Sequence, residues 1–138
     1  MRVLRSLPLA QLVRASGVAV MNGDAANPQL FETQAPDTDV RFSTVPLTRD
    51  YSVEDAIEAA RTKTPLPFAD LWDLLAHVPE MPRNKHVIAF GSAAEVGGIM
   101  SYPYVSTCGR QPTLHLKRVD IAIGAECEVL VVEQVSAR

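Results

Sequence analysis

Residues 99–119 read IMSYPYVSTCGRQPTLHLKRV. Two runs rich in β-branched and aromatic residues flank Cys108-Gly109-Arg110-Gln111, a spacing that predicts a pair of antiparallel strands joined by a short loop. Met100, Tyr102 and Tyr104 recur at period two, so they share one face of the first strand. Pro103 cannot donate to a ladder, which places that strand at a sheet edge or at a bulge. Two further runs in the C-terminal half, HVIAFG at 86–91 and CEVLVVEQV at 127–135, have the same strand-like composition, with Ile123-Gly124-Ala125 as a turn before the last. Residues 86–135 therefore predict most of one antiparallel sheet.

Upstream of the sheet the periodicity changes to helical. Ser52 with Asp55 resembles a capping box, and Val53, Ile57 and Ala60 follow at helical spacing, predicting a helix over 53–62. Phe68, Leu71, Trp72 and Leu75 repeat at i, i+3, i+4 and i+7 between Pro67 and Pro79, predicting a second over 66–77. The two form a corner whose apolar faces cover one side of the sheet, with Trp72 buried. Nearer the start, SLPLAQLVRASG at 6–17 reads as a short amphipathic helix stopped by Gly17. VAVM then runs as a strand into an Asn22-Gly23 tight turn. Residues 24–50 hold Pro28, Pro36 and Pro46 and read as irregular chain with short edge pieces at QLFET and DVRFSTV. The fold class that follows is α+β: an antiparallel sheet from the C-terminal half packed against two or three short helices, in a single domain over 1–138.

Of the 138 residues, 47% are hydrophobic and 21% charged, which is ordinary for a folded domain and unlike a disordered chain. The net charge of −3 is unevenly spread. Residues 50–80 hold seven acids against Arg61 and Lys63, whereas Arg83, Lys85, Arg110, Lys117 and Arg118 face only Glu95 and Asp120 over 81–120. This alternation disfavours the clustered basic face that nucleic-acid binding requires. The run MRVLRSLPLAQLVR is interrupted too early for an export signal, and two cysteines allow one bridge at most. A cytoplasmic protein with free Cys108 and Cys127 is expected, outside any membrane.

Chemistry-bearing residues are sparse. Cys108 sits in the expected loop beside Arg110, with His115 on the following strand, so a thiol, an imidazole and a guanidinium can converge as a nucleophilic site. His77, His86, His115, Cys108 and Cys127 lack the paired spacings of a metal centre, and no metal or cofactor is expected. Asp70, Asp73 and His77 share one helix face, where a carboxylate–histidine ligand set competes with a solvated face opposite Leu71 and Trp72. GSAAEVGG at 91–98 has neither the lysine of a phosphate loop nor a long helix behind it and reads as a strand connection, with Glu95 at its tip lacking a partner carboxylate.

The leading expectation is a small non-enzymatic binding, assembly or accessory protein. It would contact a protein partner or a second copy through Met100, Tyr102, Tyr104 and Arg110, residue types favoured where proteins meet. The first alternative is a small enzyme using Cys108, His115 and Arg110. The second is a nucleic-acid module stacking bases on Tyr102 and Tyr104 beside Arg110, Lys117 and Arg118.

Overall fold

A computed structural model describes residues 1–33 and 36–134. Its strands are β1 (Arg2–Val3), β2 (Ala19–Val20), β3 (Thr38–Pro46), β4 (His86–Ile88), β5 (Ala94–Val96), β6 (Ile99–Ser106), β7 (Thr113–Arg118) and β8 (Cys127–Gln134), and its helices are α1 (Leu9–Ser16), α2 (Val53–Lys63) and α3 (Leu71–His77). The fold is mixed α+β. Val135, expected to end the last strand, lies outside the described residues.

The eight strands form one sheet in the order β1-β3-β8-β4-β6-β7-β2, with β5 added alongside β6. Most pairs are antiparallel, but β4 runs parallel to β8 and β2 parallel to β7, so the purely antiparallel expectation is corrected to a mixed sheet. The cause lies in β8. Val129, Leu130, Val131 and Val132 are all buried, an unbroken apolar run that needs cover on both faces and so takes a position inside the sheet. It pairs over seven residues with β3, which is therefore a long regular strand rather than a short edge piece in irregular chain.

Side chains alternate between two cores. One gathers Leu9 and Val13 of α1 and Leu71, Trp72, Leu74 and Leu75 of α3 with Val87, Val105, Leu114 and Leu130. The other gathers Val53, Ala56 and Ala60 of α2 with Ile88, Val129 and Val131. Alternate residues of β8 enter different cores, so α2 and α3 lie on opposite faces and do not form the expected corner on one side. The chain changes face at 67–69. There Val132 N–H donates to Pro67 O and Ala69 N–H donates to Leu130 O, each at 3.0 Å, so this segment continues along β8 where the short β4 has ended. Gly91 N–H donates to Ala69 O at 2.8 Å, and a Cβ on Gly91 would sit 2.5 Å from that oxygen. Only glycine fits against the crossing backbone.

The crossing also relocates the start of α3. Phe68, expected in the helix, makes a β-bridge to Val131, and the helix begins at Leu71 behind a reciprocal capping box of Asp70 and Asp73. Ser92 Oγ accepts from Leu71 N–H at 2.8 Å, adding a second tie at that end. Trp72 is 5% exposed, as its neighbours' periodicity predicts. Helix α2 is capped by Ser52 Oγ accepting from Asp55 N–H, the forward half of the expected capping box, and α1 ends at Gly17 with φ 79°, as expected.

Other local readings are corrected. Asn22-Gly23 makes no hairpin: the Asn22 side chain caps a 3-10 turn at Gly23–Ala26. QLFET is not a strand but carries Phe31 into the core behind a turn. The stretch 91–98 contains β5 and a two-residue hairpin, with Gly97 and Gly98 at φ 59° and 81°, the conformation such turns demand. Pro103 is on an interior strand, not an edge. Ala89 N–H donates to Pro103 O at 3.0 Å, and the donor that Pro103 lacks falls just beyond the end of β4, where the ladder stops. Among the described residues no helix is long and apolar enough to cross a membrane.

Candidate functional site

Period-two alternation in β6 puts Met100, Tyr102 and Tyr104 on the face of the α2 core, while Ser101, Pro103 and Val105 point to the other. Tyr104 is directly opposite His115 of β7, and their rings stack at 4.9 Å with a 13° tilt. The His86 ring of β4 lies on the other flank at 5.9 Å and 23°. Three strands thus contribute one ladder of flat rings, His86–Tyr104–His115. Lys117 adds its ammonium 5.9 Å from the Tyr104 ring centre, within cation–π range. Tyr102 turns edge-on to Phe90 at 5.3 Å, and Phe90 packs edge-on against Phe68.

The tyrosines are therefore anchored at their inner side by the core and half-exposed at the outer. Met100, at 40% exposure, extends the same row towards solvent. Burial pushes the Tyr104 phenol up and the His115 imidazole down, the latter helped by the nearby His86. Both shifts favour neutral rings. His115 Nε2 is also 2.7 Å from Thr113 Oγ1, which fixes its ring plane.

The loop carrying Cys108 is held by a separate set of bonds. Thr107 Oγ1 donates to Pro82 O at 2.7 Å and accepts from Lys85 N–H, while Thr107 N–H donates to Lys85 O at 2.8 Å. Asn84 makes the turn with φ 60° and donates its N–H to Thr107 O. Arg83 reaches over to donate to Gly109 O at 3.1 Å. This brings Cys108 Sγ to 3.4 Å from His86 Nε2. The imidazole beside the thiol is His86, whereas His115, the partner weighed from sequence, lies on the far side of the Tyr104 ring. Arg110 is exposed on the same loop.

The remaining sequence candidates have other partners. Asp70 and Asp73 bind Arg5, whose Nη2 lies 3.1 and 2.8 Å from their carboxylates and whose Nη1 donates to Thr38. His77 packs against Phe42 with ring centres 5.0 Å apart and planes tilted by 56°, so these three residues do not converge as ligands. Glu95 is exposed on β5, opposite Met100. Among the described residues no group of three or more histidines, cysteines and carboxylates is placed to hold a metal ion. Cavities of about 200 and 210 Å³ are lined from the α1–α3 face, one by Leu12, Trp72 and Leu75, the other by Arg5, Val40 and Asp73.

His86 was weighed from sequence as a metal donor and not as the partner of Cys108. Its place follows from β4 pairing with β6 in a register that sets His86 opposite Ser106, two residues before Cys108. No motif spacing encodes that pairing. No family model matches the chain, and no curated protein or solved structure is found to be similar to it.

Proposed function

We propose that this protein is a binding module that docks an acidic segment of a partner protein on the β4–β6–β7 face. The observation that carries the reading is the His86–Tyr104–His115 ladder, rigid because each ring is stacked on its neighbour yet left half-open by the core beneath. Rigid aromatic anchors bind with little loss of side-chain entropy, which is why tyrosine concentrates where proteins meet. Charge supports the acidic partner: Lys117 stands over the Tyr104 ring and Arg83 and Arg110 lie at the adjoining loop, whereas Lys85 is paired with Glu128 and Arg118 with Asp120. These three cations belong to a chain of net charge −3, so electrostatic attraction would draw an acidic segment to this part of it.

The test starts from a partner captured on the immobilised protein, purified and titrated in solution. Replacing exposed Met100 by Asp and Lys117 by Glu should each weaken binding by about tenfold or more, and added salt should weaken the wild-type complex. Unchanged affinity in both variants would overturn the reading.

A further inference from the structure

Cys108 and Cys127 occupy contrasting sites. Cys127 is buried at the start of β8, where loss of hydration pushes its thiol up to about 12 and leaves it inert. Cys108 is exposed at the mouth of the 107–112 loop with an imidazole nitrogen 3.4 Å from its sulfur. That imidazole is itself oriented, by the stack on Tyr104, and the loop is fixed to residues 82–85 through Thr107. A nucleophile, a base within reach and a third group orienting the base are the parts of an activated nucleophile. The surroundings also have a sign. Arg83 is tied to Gly109 O and Arg110 is two residues after the thiol, so the loop itself carries two cations and no carboxylate.

We propose that Cys108 is a thiol-exchange site that takes up one half of an anionic low-molecular-weight disulfide, with His86 as its base. In the step, His86 Nε2 accepts the Cys108 proton as Sγ attacks one sulfur of the disulfide. A Cys108–sulfur bond forms, the disulfide's S–S bond breaks, and the departing thiolate takes the proton back from His86. Cys108 is oxidised to a mixed disulfide and the released half is reduced to a thiol, so no further oxidant is needed. Arg83 and Arg110 supply the positive field that favours an incoming molecule bearing carboxylates. The inference shares His86 and the loop cations with the proposed docking face, but its test reads thiol reactivity of the protein alone and so stands or falls without a partner.

The test incubates the intact protein at neutral pH with glutathione disulfide, which is anionic, and separately with cystamine, which is cationic, and follows each cysteine by peptide mass mapping. Cys108 should be modified and Cys127 should not. A free cysteine is only a few per cent thiolate at neutral pH, so a base that completes proton transfer should make folded Cys108 react about tenfold faster than the same residue in denaturant. His86→Gln, which keeps the size of the side chain but not its basicity, should remove that advantage while the melting curve remains that of the wild type. Glutathione disulfide should react faster than cystamine, and the double variant Arg83→Gln, Arg110→Gln should erase the preference. Equal rates for folded and denatured Cys108, or a rate unchanged by His86→Gln, would overturn the role of His86. Equal rates for the two probes on the wild-type protein would overturn the anionic specificity.

Discussion

Arg5 is an arginine with 7% of its side chain exposed, held between Asp70 and Asp73, the latter 4% exposed. It ties the chain after β1 to the cap of α3 and, through Thr38, to β3. Removing one partner of a buried ionic group leaves the others uncompensated, which typically costs about 3–5 kcal/mol. Arg5→Ala should therefore lower unfolding stability by about that amount in urea titration, and Arg5→Lys should recover only part, since an ammonium cannot span both carboxylates as the guanidinium does. A loss below about 1 kcal/mol for Arg5→Ala would show that the cluster is solvated after all.

The same cluster makes stability depend on pH. Burial, reinforced by the neighbouring Asp70, pushes Asp73 up to about 6, against 3.8 for an ordinary aspartate. The folded state thus holds this proton more tightly than the unfolded chain, so its contribution is present below about pH 4 and is lost as pH rises through about 6. His77 acts with the opposite sign: burial depresses its imidazole, so its contribution is lost as pH falls below its ordinary value. The two overlap, and a variant separates them. The stability of wild type minus that of Asp73→Asn should fall between about pH 4 and about pH 7, and a difference that stays flat would contradict the assignment.

At the scale of elements, the crossing at 67–69 controls how α2 and α3 are distributed. Gly91→Ala would drive a methyl group against the Ala69 and Phe68 carbonyls, and backbone has less freedom to yield than a side chain. A loss of about 1–3 kcal/mol is expected from thermal or denaturant melts. A neutral result would mean that the crossing segment moves freely. Helices α1 and α2 were legible because Gly17, Ser52 and Asp55 are punctuation that acts locally. The start of α3 was misread because Phe68 happens to stand at helical spacing from Leu71 and Trp72 while its backbone pairs with Val131. The better signal was Asp70 with Asp73, a cap three residues apart, which the apolar periodicity obscured. Pro103 was misplaced for a related reason: its missing donor falls beside Ala89, one residue past the last paired position of β4, so an interior strand can hold it where the ladder ends.

At the scale of the whole molecule, strand order decided what the sequence could reveal of the site. The shared face of Met100, Tyr102 and Tyr104 follows from strand periodicity alone and was legible. The ring ladder was not, because it needs β4, β6 and β7 side by side, and β4 is placed by β8 entering the sheet between it and β3. The buried run Val129–Val132 signalled a central strand, but not which neighbours it would take. The central claim is that this composite face is where a partner binds. The most direct measurement is amide hydrogen exchange of the protein alone and saturated with its captured partner. Added protection should fall on residues 86–88, 99–106 and 113–118, with little change in α1 and α3. Protection concentrated on α1 and α3, with β6 and β7 unchanged, would contradict it.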